Sequence, residues 1–293
     1  MPVAFRVAGM TPTAWNPYNG EVNPLWEYEQ KNDVTSLPVR LAPYESTFIV
    51  FDRGPDRPHV VHSTFDKVLR VDDKAVEAVA GTNGAHAVAL GNQAYTGVAV
   101  EGIPAAFMIE GDWHLTLEGR DFARMETVLP RLASWTDDPR TKHFSGTGTY
   151  EIRFDLPSAY LEKDLRLVLN LGIVGNIAEV ELNGRQVGVC WMRGQALDVT
   201  GVAKAGRNAL VIRVTNTLIN RVAGLKELPP VPEHLRPHFG GDLGKHAALA
   251  QTLLGYEPLP NSGLLGPVSI RALKRVLVPI DRDHQKQKDG VRQ

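Results

Sequence analysis

Apolar and polar residues alternate with a period of two through much of the chain. In "YEIRFDL" Tyr150, Ile152, Phe154 and Leu156 fall on one face, and Glu151, Arg153 and Asp155 on the other. "LRLVLNL" repeats the pattern at Leu165, Leu167, Leu169 and Leu171. "AEVELNG" does so at Ala178, Val180 and Leu182, and "NALVIRVTN" at Leu210, Ile212 and Val214. This is the signature of half-buried strands, and their short, regular spacing predicts an antiparallel sandwich. Asn183-Gly184 predicts a two-residue hairpin turn, because both residue types accept positive φ. Gly206 and Asn208 mark a second turn in "KAGRN". On the far side of the hairpin, Val187 and Val189 are expected to fill the core, with Cys190 as a small core residue beside them.

The first part of the chain is also strand-like. Phe48-Ile49-Val50-Phe51 reads as a strand, and Gly54 and Pro58 break the chain after it. From Val68 to Trp113 the apolar runs are short and punctuated by glycine. The expected fold is all-β: two β-sandwich units, over 1–111 and 112–275, then a polar tail over 276–293. Residues 218–260 differ, being rich in Pro, His and Gly with one weakly helical run, "KHAALAQTLLG". An irregular connection longer than ~15 residues is uncommon in a compact domain and often functional.

Composition narrows the function classes. Lys plus Arg total 32 and Asp plus Glu 33. That balance argues against a nucleic-acid partner, which requires a basic excess. No stretch approaches the ~18 apolar residues of a membrane-spanning helix, so no membrane partner is expected. The opening residues show no secretory leader, which leaves the compartment open. A single cysteine excludes an intrachain disulfide framework.

Motifs for chemistry are sparse. "FSGTGTY" lacks the Lys-Ser/Thr of a phosphate-binding loop, and Glu151 stands where a dinucleotide fingerprint needs its third glycine. His234 and His238 have a zinc-like spacing, but Pro237 interrupts the helix that would align them, and His59 and His62 lie in "HVVH". No cofactor or metal is expected. A glycosidase needs two carboxylates about 5 to 9.5 Å apart across a sugar. Neighbours such as Asp72-Asp73 and Asp137-Asp138 point to opposite faces of a strand. Glu179 and Glu181 share a face, the solvated one. No acid and base pair stands out.

Longer motifs occur in a fixed order. "SWTDDPRTKHFSGTGTYEIRFDLP" is followed by "LVLNLGIVGNIAEVELNGRQVGVCWMRGQALDVTGVAKAGRNALVIRVTNTLINRV" and then "SGLLGPVSI". Together they resemble the sugar-binding β-sandwich of family-2 glycoside hydrolases. They are more similar to the C-terminal region of family-106 α-L-rhamnosidases. "WNPYNGEV" and "LPVRLAPYESTFIVF" extend that resemblance upstream, so that it covers about Phe5 to Leu273. It implies that the second unit is a galactose-binding-like jelly roll. In that family the catalytic carboxylates and a calcium site belong to a large (β/α)8-type domain N-terminal to this region. The resemblance therefore transfers no catalytic residue to this chain. It implies a non-catalytic, carbohydrate-binding or accessory portion of a glycoside hydrolase that usually acts outside the cytoplasm. The implied partners are a rhamnose- or galactose-containing glycan and a catalytic domain or subunit. A free-standing carbohydrate-binding module is the alternative, and a hydrolase with an unrecognised site is a third reading.

Five residues are carbohydrate-binding candidates. Trp191 offers an indole face for stacking on a pyranose, or else packs into the sandwich beside Val187 and Val189. Arg193 sits at the same hairpin's end. Asn216, Asn220 and Arg221 follow a core strand, where amides and a guanidinium can serve several hydroxyls or pin the loops. Trp135 is expected as a buried anchor, and Gly263, Gly266 and Pro267 as turn geometry.

Overall fold

Six antiparallel strands form the sheet around which the second half of the chain is built. In spatial order they are Phe122–Leu129, Trp113–Gly119, Thr147–Leu156, Gly206–Thr215, Ile177–Leu182 and Arg185–Cys190. The structure is a computed structural model, and it describes residues 2–41, 45–54, 57–91, 95–225, 233–235 and 259–280. Among these, strands dominate. The one α-helix is the single turn Ile219–Ala223, and the 3₁₀ turns are Trp135–Asp137, Ser158–Leu161 and Glu233–Leu235.

The alternation seen in the sequence sets the sheet's two faces. Tyr150, Ile152, Phe154 and Leu156 are buried, as are Leu210, Ile212 and Val214 on the neighbouring strand. Register aligns them: Leu115 lies opposite Tyr150, Tyr150 opposite Ile212, Ile212 opposite Val180, and Val180 opposite Gly188. One row of side chains thus crosses five strands. Each large apolar member contributes ~1.5–3 kcal/mol by leaving water. The row ends at Gly188, where a Cβ would lie 2.8 Å from Leu197 Cδ2. Leu197 occupies the place that a larger residue would take. Leu165, Leu167, Leu169 and Leu171 are buried as their pattern predicts.

The hairpin turn also follows expectation: Asn183 and Gly184 have φ of 53° and 78°. Asn183 does more than turn. Its Nδ2 donates to Val202 O (2.9 Å) and Asn208 Oδ1 (2.8 Å), and its Oδ1 accepts from Ala209 N (3.0 Å). Buried Asn208 donates to Lys204 O and Gly206 O, so both turns share one satisfied network.

The returning strand departs from expectation. A β-bulge between Val180 and Glu181 places Gly188 opposite Val180 but Gln186 opposite Glu181, leaving Val187 as the extra residue. Gly188 adopts φ +152°, a conformation that L side chains rarely take. The extra residue reverses the inward and outward sides beyond it. Val187 is therefore half-buried and Val189 is 37% exposed, while Cys190 is the residue that enters the core at 4%. The valines do not fill the core, and Trp191 next to them does not pack into the sandwich.

Trp135 is the buried anchor of this unit. Its indole stacks parallel to the Tyr150 ring at a 6.4 Å centroid distance and meets Phe144 edge-on at 5.1 Å. A Cβ on Gly148 would collide with the Trp135 ring, and one on Gly263 would lie 2.6 Å from both Trp135 Nε1 and Tyr150 Oη. The glycines of "SGTGT" and "SGLLG" make room for a tryptophan. The backbone bond from Trp135 N to Ser262 O (3.0 Å) and the bond from Leu264 N to the Tyr150 hydroxyl (2.9 Å) tie the closing strand Gly263–Gly266 to this anchor. Burial pushes the Tyr150 phenol up to about 12, with the Leu264 N–H and the Trp135 side chain opposing it.

The chain groups into two compact units that are discontinuous in sequence. The first comprises 1–106, 157–168 and 271–293, and the second 107–156 and 169–270. This differs from the contiguous division at 1–111, 112–275 and 276–293. The reason is strand pairing: Ala75–Ala80 pairs with the far end of Ser269–Pro279, setting Val76 opposite Val278, both fully buried. Residues 276–279 are thus strand, and the expected polar tail begins later. Residues 281–293 and the helical run over 245–255 lie outside the described residues. Smaller sheets complete the first unit. One pairs Pro2–Phe5, Val34–Pro38 and Glu29–Lys31; another pairs Val22–Pro24, Thr11–Trp15 and Phe48–Asp52; a third pairs Thr96–Val100, Gly84–Ala89 and His62–Ser63.

Two outcomes test this core. Ile212→Ala will cost ~2–5 kcal/mol in chemical denaturation, while Val211→Ala on the opposite face will cost ~0.5 kcal/mol or less. Equal effects would contradict the assignment of faces. The folded Tyr150 phenol keeps its proton after the unfolded one, ordinarily near 10, has lost it. Stability will therefore fall by ~2–3 kcal/mol as pH rises from about 10 to 12. Tyr150→Phe will flatten that slope.

Candidate functional site

A cleft of about 280 Å³ lies within the second unit, where three chain segments meet. The first is 171–177, which includes the strand Ile173–Gly175; the second is 190–195, beyond the bulged hairpin; the third is Pro260-Asn261. Each segment is held by local geometry. Gly175 packs so closely on Asn261 that a Cβ there would collide with its carbonyl. Asn176 N donates to Thr215 O at 3.2 Å, anchoring the first segment to the central strands. Gln195 shapes the second: its Oε1 accepts from Trp191 N (3.1 Å) and its Nε2 donates to Val189 O (3.0 Å). That amide closes the 191–195 turn upon itself.

The lining combines apolar faces with hydrogen-bonding groups. Trp191 is 50% exposed, Ile173 52% and Ile177 46%, and all three border the cleft. Asn176, Asn261, Gln195 and Arg193 supply the polar rim. No Asp or Glu lines it among the described residues. Cys190 forms part of the floor. Its thiol, pushed up to about 11 by burial, donates to Gln195 O at 3.8 Å. It is a packed thiol, not a nucleophile.

The five sequence candidates separate into two groups. Trp191 and Arg193 both border this cleft. Asn216, Asn220 and Arg221 do not; they bond to neighbouring loops, and Asn220 Oδ1 is buried without a hydrogen-bond partner. Asn216 accepts from Gly146 N (3.0 Å) and donates to Phe144 O (2.8 Å) and Ser262 Oγ (3.1 Å). Asn220 is buried, with its Nδ2 3.5 Å from Lys142 O. Arg221 pairs with Asp121 at 2.6 Å and donates to Arg120 O. Sequence reasoning missed Ile173, Ile177, Asn176, Gln195 and Asn261. The usable signal was Gly172 and Gly175 bracketing a short apolar run.

His59, His62, His86 and His143 are engaged by rings or backbone. His59 stacks on Tyr28 at 3.9 Å, and His62 meets Tyr95 edge-on. His234 lies in an exposed 3₁₀ turn, and His238 and His246 lie outside the described residues. No group of three metal-ligating side chains occurs among the described residues. A second cleft, of about 310 Å³ in the first unit, is lined by Glu27, Glu45 and Asp66 with Arg40 and Trp26. Burial raises the Glu27 carboxyl above its ordinary value, against the Ser63 N–H that it accepts at 2.9 Å.

No family model matches the chain. It is 32% identical over 188 residues to a "Putative beta-glucuronidase" of Formosa agariphila, a stretch covering 59% of this chain and 16% of that protein. The structure of a rhamnosidase from Novosphingobium sp. PP1Y matches 92% of this chain and 21% of its own, at 25% identity and a TM-score of 0.57. The chain is thus a glycosidase-related, nearly all-β region that spans only a small part of the length of these relatives.

The buried thiol gives a direct check on the site's floor. Native Cys190 will react with a disulfide reagent at about pH 8 on the order of a hundredfold more slowly than the denatured chain. Equal rates would mean that the hairpin's end is open.

Proposed function

We propose that this chain is a non-catalytic accessory portion of an α-L-rhamnosidase-like glycoside hydrolase, corresponding to the C-terminal β-sandwiches of family 106. The observation that carries this reading is the structural match to a rhamnosidase over 92% of the chain. The ordered motifs from "SWTDDP" to "SGLLGPVSI" agree with it, and the hairpin sandwich is the counterpart of the galactose-binding-like domain. In this reading Trp191 and Arg193 contact glycan, while Asn216, Asn220 and Arg221 set the loops behind the sandwich. A further support is a row of exposed apolar residues on one three-stranded sheet. Trp15 lies opposite both Val22 and Phe48, and all three are solvent-exposed. Such a row suits the docking of a catalytic partner.

The test is hydrolysis. In this reading the purified chain will not turn over an aryl α-L-rhamnoside. Turnover abolished by Glu27→Gln, at the carboxylate raised by burial, would replace this reading with that of an enzyme in its own right.

A further inference from the structure

We infer that the cleft between 171–177, 190–195 and Asn261 is a binding subsite for a single pyranose ring. This deepens the reading of Trp191 and Arg193 as glycan contacts, and it rests on that reading. The first argument is shape. A cleft of about 280 Å³ is just below the ~300–1,000 Å³ typical of small-molecule sites. It holds one sugar ring rather than an extended chain.

The second argument is the division of the lining. A pyranose has apolar C–H faces and a rim of hydroxyls. Trp191, Ile173 and Ile177 are large apolar side chains left about half-exposed around one concavity. Exposing them separately is ordinary, but exposing three together around a cleft is the pattern of a binding surface. An indole suits a C–H face, since its ring carries negative charge above its plane and the sugar's C–H groups are weakly positive. Asn176 and Asn261 offer both donors and acceptors to hydroxyls, and Arg193 adds a fork of donors.

The third argument is preorganisation. The turn carrying Trp191 is closed by both ends of the Gln195 amide. The facing segment is locked by the close packing of Gly175 on Asn261. A site that is already ordered loses less entropy on binding. The missing carboxylates complete the assignment. Without an acid and a base, the ring is held and not cleaved at this place. Two pyranose types share the required chemistry. A 6-deoxyhexose would set its methyl group against Ile173 or Ile177, and a uronate would direct its carboxylate to Arg193.

The experiment is a calorimetric or ligand-observed NMR titration of the full chain with methyl α-L-rhamnopyranoside and, separately, with D-glucuronate. We expect saturable binding of one of them with a Kd in the millimolar range, about −4 kcal/mol. Trp191→Ala will weaken it about tenfold or more, and Arg193→Ala will weaken it when the uronate is the ligand. Trp15→Ala, at an exposed tryptophan in the other unit, will bind as the parent does. The identity of the binding sugar separates the neutral from the acidic version. No saturation by either sugar up to roughly 50 mM, or binding undiminished in Trp191→Ala, overturns the subsite. These results are independent of the hydrolysis assay, so the accessory role stands or falls separately.

Discussion

The pairing of Thr147–Leu156 with Gly206–Thr215 is the constraint from which the second unit follows. Ten consecutive residues pair without interruption, between segments far apart in the chain. Such non-local pairing is slow to form and repays its loop-closure entropy only when complete. Once it is made, the other elements are placed. Trp113–Gly119 adds to one side and Ile177–Leu182 to the other, each with its apolar face already aligned. The cleft lies just past one end of this ladder, because Ile177 pairs with Thr215 and Asn176 bonds to its carbonyl.

Most of this architecture was legible in the sequence, and what was not has a physical reason. The period-two faces at Tyr150–Leu156, Leu165–Leu171 and Leu210–Val214 are the buried faces observed. Asn183-Gly184 turns as its residue types require. Val187 and Val189 misled because periodicity assumes an unbroken ladder, whereas a bulge inserts a residue and exchanges the faces. Of the candidate site, Trp191 and Arg193 could be named at the hairpin's end, but whether Trp191 faced solvent or core could not be read until the bulge was seen. The opposing wall was not legible. Asn176 and Asn261 are 85 residues apart, and only the close packing at Gly175 brings them to one place.

The same close packing explains the glycines of "SGTGT", "SGLLG" and the 172–175 segment. Gly148 and Gly263 leave room around Trp135 and Tyr150, Gly175 makes room for Asn261, and Gly172 for Gly266. In a small sandwich each glycine lets two layers approach where side chains would hold them apart. Their density records how tightly aromatic anchors and closing strands are stacked, and it carries no phosphate chemistry.

The bulge at Val187 makes the orientation of the hairpin's end a matter of counting. With the same residues in an unbroken ladder, strand parity would turn Cys190 toward solvent and Trp191 toward the core, whereas removal of Val187 itself would leave Cys190 opposite Ala178. Loss of one residue between Gly188 and Trp191, with the bulge kept, would therefore exchange which side chains face out. Related sandwiches that share the LNG turn but differ by one residue between the bulge and the tryptophan should be read as presenting a different face. In evolutionary terms, a length change at this end of the hairpin alters both the surface and the core beneath it, and a deletion at the bulge itself alters neither face.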